Sequence, residues 1–286
     1  MPSLIDLRRR IRSVRNTQQV TKAMKMVSAA KLRRAQDRVL AARPYAAMFR
    51  AVLADVAAAV AADERLGTHP LLARRPEERI LLVLITADRG LAGAFNTNLH
   101  KAALAFLAEH AGTDLRMMTL GRKGRDFFRK RPVEIVDERL GLTQRVQYAD
   151  AAAIGGELAR RYEQGEADAV YLLYNEFKSI MAQKLTVSRV LPVEVPAGAR
   201  GLGYIYEQPP QQLLAGLLPR YVEIAVYQAL LESAAAEHGA RMTAMDAATS
   251  NAGEMIDKLT LYMNRVRQAS ITKEIIEVVS GAAGME

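Results

Sequence analysis

The 286-residue chain is half apolar, ample for a sizeable core, and carries 40 Lys and Arg against 31 Asp and Glu, a formal charge of +9. It has no Cys and no Trp, which excludes disulfides, zinc–thiolate sites and thiol nucleophiles. The longest aliphatic run, ILLVLI, falls far short of the ~20 residues that span a bilayer, and no apolar run follows the basic opening MPSLIDLRRRIRSVRNT, so neither a membrane span nor a signal peptide is read.

Residues 3 to 62 contain one Pro, Pro44, and no Gly, with Ala, Arg, Leu and Met predominating. This composition predicts one long helix of roughly 60 to 90 Å, depending on whether Pro44 kinks it. Twelve Lys or Arg and only two acids, Asp6 and Asp37, fall within residues 1–43, so the whole positive excess sits on this helix. For any single residue a solvated side chain is the default reading. A block so weakly opposed calls for an acidic partner. Nucleic acid is one alternative, but the helix has no aromatic residue before Tyr45 and no binding module around it, so a protein partner fits better.

The segment GTHPLLARRPEER breaks the helix at Gly67, Pro70 and Pro76. Beyond it RILLVLITADRG reads as a buried strand, FNTNLHKAALAFLAEHAG as an amphipathic helix, DLRMMTLGRKG as a second strand, RDFFRKR as a short helix and VEIV as a third strand. A helix through QYADAAAIGGELARRYEQGE follows, then strands at AVYLLYNEF and QKLTVSRVLPVEV. Alternation of this kind predicts βαβ units and a mostly parallel sheet.

From residue 213 the pattern returns to helix, about 60 residues long. Met245, Ala248, Ala252, Met255, Leu259, Tyr262, Val266 and Ala269 recur at steps of three and four, a heptad seam. A helix of this length needs a partner along its seam, and the N-terminal segment alone has matching length. The fold class expected is therefore α/β: a long antiparallel coiled coil of the N- and C-terminal helices with an inserted Rossmann-like α/β domain. Its parts are 1–62, 77–212 and 213–286.

No enzyme active site is visible. TADRGLAGAFN, with Gly90 and Gly93 between strand and helix, occupies a position where phosphates are cradled, but lacks the spacing of a dinucleotide fingerprint and reads by default as a tight turn. Gly201 to Gly203 is weaker still. His69, His100, His110 and His238 are scattered, and none has a neighbour at metal-ligand spacing. No cofactor is expected.

IRSVRNTQQVTKAMKMVSAAKLRRAQ, TADRGLAGAFN, YIYEQPPQQLLAGLLPRYVE and RMTAMDAATSNAGEMI, in that order, resemble the gamma subunits of F-type ATP synthases. RVRQASITKEIIEVVSGAA closes the match, with Ile271, Thr272, Glu274, Glu277, Gly281 and Ala282 at the positions of the C-terminal signature and Gly284 as a departure from it. The resemblance implies a non-catalytic rotor shaft inside a ring of alpha and beta subunits, coupling rotation of the c ring to catalysis on beta. It implies that Lys22, Met24, Lys25, Arg33, Arg34 and Arg241 face acidic levers of beta, and that Arg267 and Gln268 engage a catch loop. Tyr204, Tyr206 and Glu207 would belong to a foot that meets the epsilon subunit and the c ring. A peripheral place on the cytoplasmic side of a bacterial inner membrane follows from the same resemblance.

Overall fold

The computed structural model describes residues 3–61, 69–180, 182–194 and 207–283. A 58-residue helix, α1 (Leu4–Ala61), opens the chain. Ser3 caps it: its Oγ accepts the Asp6 N–H at 3.2 Å and the Asp6 carboxylate accepts the Ser3 N–H at 3.4 Å, so Ser3 and Asp6 satisfy orphan donors of the first turn reciprocally. Pro44 lies inside α1 on its exposed side.

The middle of the chain alternates as expected: β1 (Arg79–Ile85), α2 (Phe95–Glu109), β2 (Asp114–Leu120), α3 (Arg122–Phe128), β3 (Glu134–Arg139), α4 (Tyr148–Glu163), β4 (Ala169–Phe177) and β5 (Gln183–Leu191). The sheet order is β3-β2-β1-β4-β5, parallel except for the antiparallel pairing of β5 with β4. Ile80 to Ile85 are buried without exception because β1 is central and covered on both faces. Several boundaries differ from the sequence reading: α3 starts at Arg122 and stops at Phe128, three residues ahead of RDFFRKR at each end, and β5 ends at Leu191, short of PVEV. Helix α2 stops at Glu109, where His110 returns its N–H to the Phe106 carbonyl, and β3 extends past VEIV to Arg139, across an irregularity at Met117/Met118 in its partner strand.

The last helix, α5, spans Pro210–Ala283, 74 residues, and runs through Pro219, Gly239 and Gly253. Among the described residues no helix is long and apolar enough to cross a membrane.

The chain divides into two compact units, Met1–Ser28 with Met242–Glu286, and Ala29–Arg241. In the first unit α1 and α5 form an antiparallel pair: Gln18 donates to the Thr249 carbonyl, Thr249 Oγ1 donates to Thr21 Oγ1 at 2.8 Å, and Lys25 bridges Asp246 at 2.5 Å. Leu7, Ile11, Val14, Gln18, Thr21, Lys25 and Ser28 keep heptad steps on the inner side of α1. On α5 the inner positions are Met245, Thr249, Ala252, Ile256 and Met263, while Met255, Tyr262 and Ala269 are exposed. Of the expected seam, Met245 and Ala252 are buried and Ala248, Leu259 and Val266 half-buried, so it departs only at Met255, Tyr262 and Ala269, where Ile256 and Met263 lie on the inner side instead.

In the second unit the same two helices continue as an apolar pair. Ala46 and Phe49 of α1 pack with Ile224 of α5, and Leu217 and Tyr221 close the cluster. Residues 229–239 of α5 are buried without interruption. Helix α4 crosses α5 at Gly155, where a Cβ would stand 2.7 Å from Glu223 Cα, so that only glycine lets the backbones approach. Glu232, 2% exposed, holds three elements together: it accepts from Arg43 of α1 at 3.0 Å and from the Phe177 N–H at the end of β4, also at 3.0 Å.

Candidate functional site

The strand order reverses between β1 and β4, the position where open α/β sheets bind ligands. Here the turn after β1 is closed on the chain's own groups. Thr86 Oγ1 accepts the Gly124 N–H at 2.9 Å, the Asp88 carboxylate accepts the N–H groups of Arg122 and Gly141, and Asn96 Oδ1 accepts the Ala87 N–H. Gly121 next door has φ +115, and a Cβ there would lie 2.1 Å from the Thr86 carbonyl oxygen. The tight-turn reading describes this loop; a phosphate would find carbonyls and a carboxylate where it needs free N–H donors.

Arg241 completes that closure. It was expected to stand on a basic track facing outward, but it is 8% exposed. Its guanidinium bridges Glu237 at 2.8 Å and donates to the carbonyls of Arg89 and Gly90, tying α5 to the β1–α2 turn. The reason is charge balance: carbonyls from a distant loop and a buried carboxylate solvate the cation in place of water.

The remaining track residues lie on α1. Lys22, Arg33 and Arg34 are exposed, Met24 is half-buried, and Lys25 is half-buried with its ammonium on Asp246. Lys22, Arg33 and Arg34 have no carboxylate partner among the described residues. Around them Val20, Met26 and Val27 are also exposed, at 58%, 67% and 56%, so the outer face of this helix mixes cations with bare aliphatic side chains. On α5, Arg267 and Gln268 are exposed, and Glu207 is exposed ahead of that helix. Tyr204 and Tyr206 lie outside the described residues, as do Gly201 to Gly203.

The histidines are structural. His69 accepts the Leu71 N–H, His100 stacks on Phe127 at 4.1 Å, and His110 stacks on Phe106. His238 is buried, and burial, with Arg241 and Lys31 nearby, pushes its pKa down to about 4, so it is neutral near pH 7. Among the described residues no group of three His, Asp or Glu converges as metal ligands would. Sequence reasoning passed over one feature. Lys31, Arg34 and Arg38 share a face of α1 and meet Arg145, from the turn at 142–146, around one pocket. The i, i+3, i+7 spacing of the first three was visible; nothing local marks Arg145.

The family model for ATP synthase matches residues 3–285. A protein of Solibacter usitatus named ATP synthase gamma chain is 68% identical over the whole of both chains, and one of the same name from an Anaeromyxobacter species is 52% identical, again over the whole of both. Among solved structures, a chain of the Euglena gracilis mitochondrial ATP synthase superposes with a TM-score of 0.69 at 19% identity, covering 99% of this chain and 94% of its own. Nothing in these likenesses supports the nucleic-acid alternative.

Proposed function

The chain belongs to the ATP synthase gamma chain family, and on that premise we propose that it is the non-catalytic central shaft of the rotor. In this role it couples proton-driven turning of the c ring to conformational change at the catalytic beta subunits. Its partners would be the alpha and beta subunits around the shaft, with the epsilon subunit and the c ring at its foot. It would thus be a peripheral protein on the cytoplasmic side of a bacterial inner membrane.

The bare end of α5 carries this reading. The antiparallel register that sets Gln18 and Thr21 beside Thr249 brings Leu4, the first residue of α1, level with roughly residue 265 of α5. Past that level lie Ile271, Ile275, Ile276, Val278 and Val279, each between 48% and 72% exposed. Exposed aliphatic surface on an unaccompanied helix needs a cover, and a surrounding ring of subunits supplies one without fixing a single orientation.

The outer face of α1 suits the same role. A rotor contact must be left as readily as it is made, and exposed ion pairs of about 0 to 1 kcal/mol meet that demand. Lys22, Arg33 and Arg34, with Met24 and Lys25 beside them, would form the track against acidic levers of beta. Arg267 and Gln268 would engage the catch loop, and Glu207 would lie at the foot with Tyr204 and Tyr206. Arg241 serves the track indirectly, since its cation is held inside the chain.

Co-expression with alpha and beta subunits, followed by size-exclusion chromatography and an ATPase assay, tests the proposal. The expected result is a single complex with one copy of this chain per three alpha–beta pairs and raised turnover. A chain that elutes alone while turnover is unaffected overturns it. Met24→Lys, adding charge to the track, is expected to lower ATP-driven proton pumping in the assembled enzyme, and unchanged pumping would count against the track.

A further inference from the structure

A pocket of about 280 Å³ lies between α1, α5 and the turn at 142–146, rimmed by Lys31, Arg34, Arg38 and Arg145. No carboxylate lines it, and none of the four cations has an ion pair or hydrogen bond among the described residues. Several other arginines of the same unit are paired, although Arg33, outside the pocket, has no partner among the described residues. Arg43, Arg79, Arg129, Arg160 and Arg189 each have a carboxylate partner. Converging like charges repel one another, and an anion among them relieves that cost.

His238, 9% exposed, also lines this pocket, and its Nδ1 is buried with no hydrogen-bond partner among the described residues.

Arg38 also lines a neighbouring pocket of about 320 Å³, whose walls include Ala42, Tyr45, Tyr148 and Tyr227. Tyr148 and Tyr227 meet edge to face at 5.6 Å. Along α1 the two pockets occupy one face, from Lys31 to Tyr45, a distance of about 21 Å. A basic chamber thus opens beside an aromatic one, with an arginine between them.

We infer that this paired pocket binds a small organic phosphate of the nucleotide kind, its phosphates among Lys31, Arg34, Arg38 and Arg145 and its ring against Tyr45 and Tyr227. The site is separate from the closed turn after β1. Of its cations only Arg34 also belongs to the proposed track, so the inference does not rest on the rotor reading.

Isothermal titration of the isolated full chain with pyrophosphate and with magnesium-free ADP, at fixed ionic strength, tests it. Both ligands are expected to bind saturably at one site, ADP more tightly. Arg145→Gln, at an exposed rim position, should weaken both by about tenfold or more, the loss expected of one charge-assisted phosphate contact. Arg33→Gln, outside the pocket, should leave both unchanged. Tyr45→Leu should abolish the advantage of ADP and spare pyrophosphate, and the His238 Nδ1 resonance should shift on titration. Non-saturating retention that salt removes equally from wild type and Arg145→Gln overturns the site. Pyrophosphate binding with no gain for ADP overturns the aromatic half. The assay contains no alpha or beta subunit, so a failure here leaves the rotor reading standing, and failed co-assembly leaves this site standing.

Discussion

The same two helices, α1 and α5, do different things in the two units. Within 29–241 they are an anchor: residues 229–239 of α5 are buried all round, Phe49 and Leu53 of α1 are at most 9% exposed, and a buried glutamate ties the pair to the sheet. Within 1–28 and 242–286 the described residues of the two helices pair with each other. Their inner side, apolar at Leu7, Ile11, Met245 and Ala252, turns polar at Gln18, Thr21, Lys25 and Thr249, with exposed Asp246 beside it. An apolar seam gains in proportion to the area buried, about 25 cal/mol per Å², but tolerates many registers. A polar seam gains less and fixes one register, because a slipped Thr21 or Thr249 would lose its partner. Anchoring and alignment are thus assigned to different stretches of one helix pair.

Removing the anchor should have the largest effect. Glu232→Ala strips the carboxylate from Arg43 and leaves the Phe177 N–H buried without an acceptor, with a cavity in addition. A loss of about 3 kcal/mol is expected, since Arg43 is partly solvated and part of its cost is relieved. Urea unfolding of the full chain measures it; a change below 1 kcal/mol, a value typical of exposed sites, would mean that Glu232 is not the tie described here.

Acid should act on the same unit. The folded state holds the His238 pKa at about 4 against an ordinary 6.5, so between those values the unfolded chain binds the extra proton. The stability that neutral His238 contributes is therefore complete above about pH 6.5 and declines as the pH falls toward 4, by at most about 3 kcal/mol. His238→Gln should flatten that slope, read from the urea midpoint against pH, while leaving the midpoint at pH 8 comparatively little changed.

A smaller effect is expected at the helix crossing. In Gly155→Ala the new methyl would stand 2.7 Å from Glu223 Cα and 2.9 Å from its N, both backbone atoms, so α4 must shift away from α5. Overpacking of this kind costs about 1 to 3 kcal/mol. Gly156→Ala is the control, because nothing lies within 4 Å of its Cβ position. Equal melting temperatures for the two variants would contradict the close crossing.

How far these features were legible in the sequence depends on whether they are local. The aliphatic runs of β1 and β4 and the unbroken composition of α1 identified their elements because burial on both faces, or absence of Gly, is a property of consecutive residues. The heptad of α1 from Leu7 to Leu53 was obscured where Gln18, Thr21, Lys25 and Ser28 occupy inner positions, since hydrophobicity does not mark a polar seam. Arg241 looked like any exposed helical cation; its burial depends on the carbonyls of Arg89 and Gly90, which folding brings from another element. Arg145 became part of a basic pocket in the same way.

The smallest effect belongs to the polar seam itself, and its smallness is what the comparison predicts. Lys25 and Asp246 meet at 2.5 Å, but their side chains are 41% and 60% exposed, so water and salt screen the pair on both sides. A double-mutant cycle with Lys25→Met and Asp246→Asn should give a coupling below about 1 kcal/mol, diminishing as salt is raised. Thr21→Val with Thr249→Val removes a less exposed pair and should retain its coupling at high salt, because no net charge is involved. If the charged pair instead couples by several kcal/mol and salt leaves it unchanged, the 1–28 and 242–286 stretch is an anchor as well. The division between an apolar stretch that holds and a polar stretch that aligns would then fail.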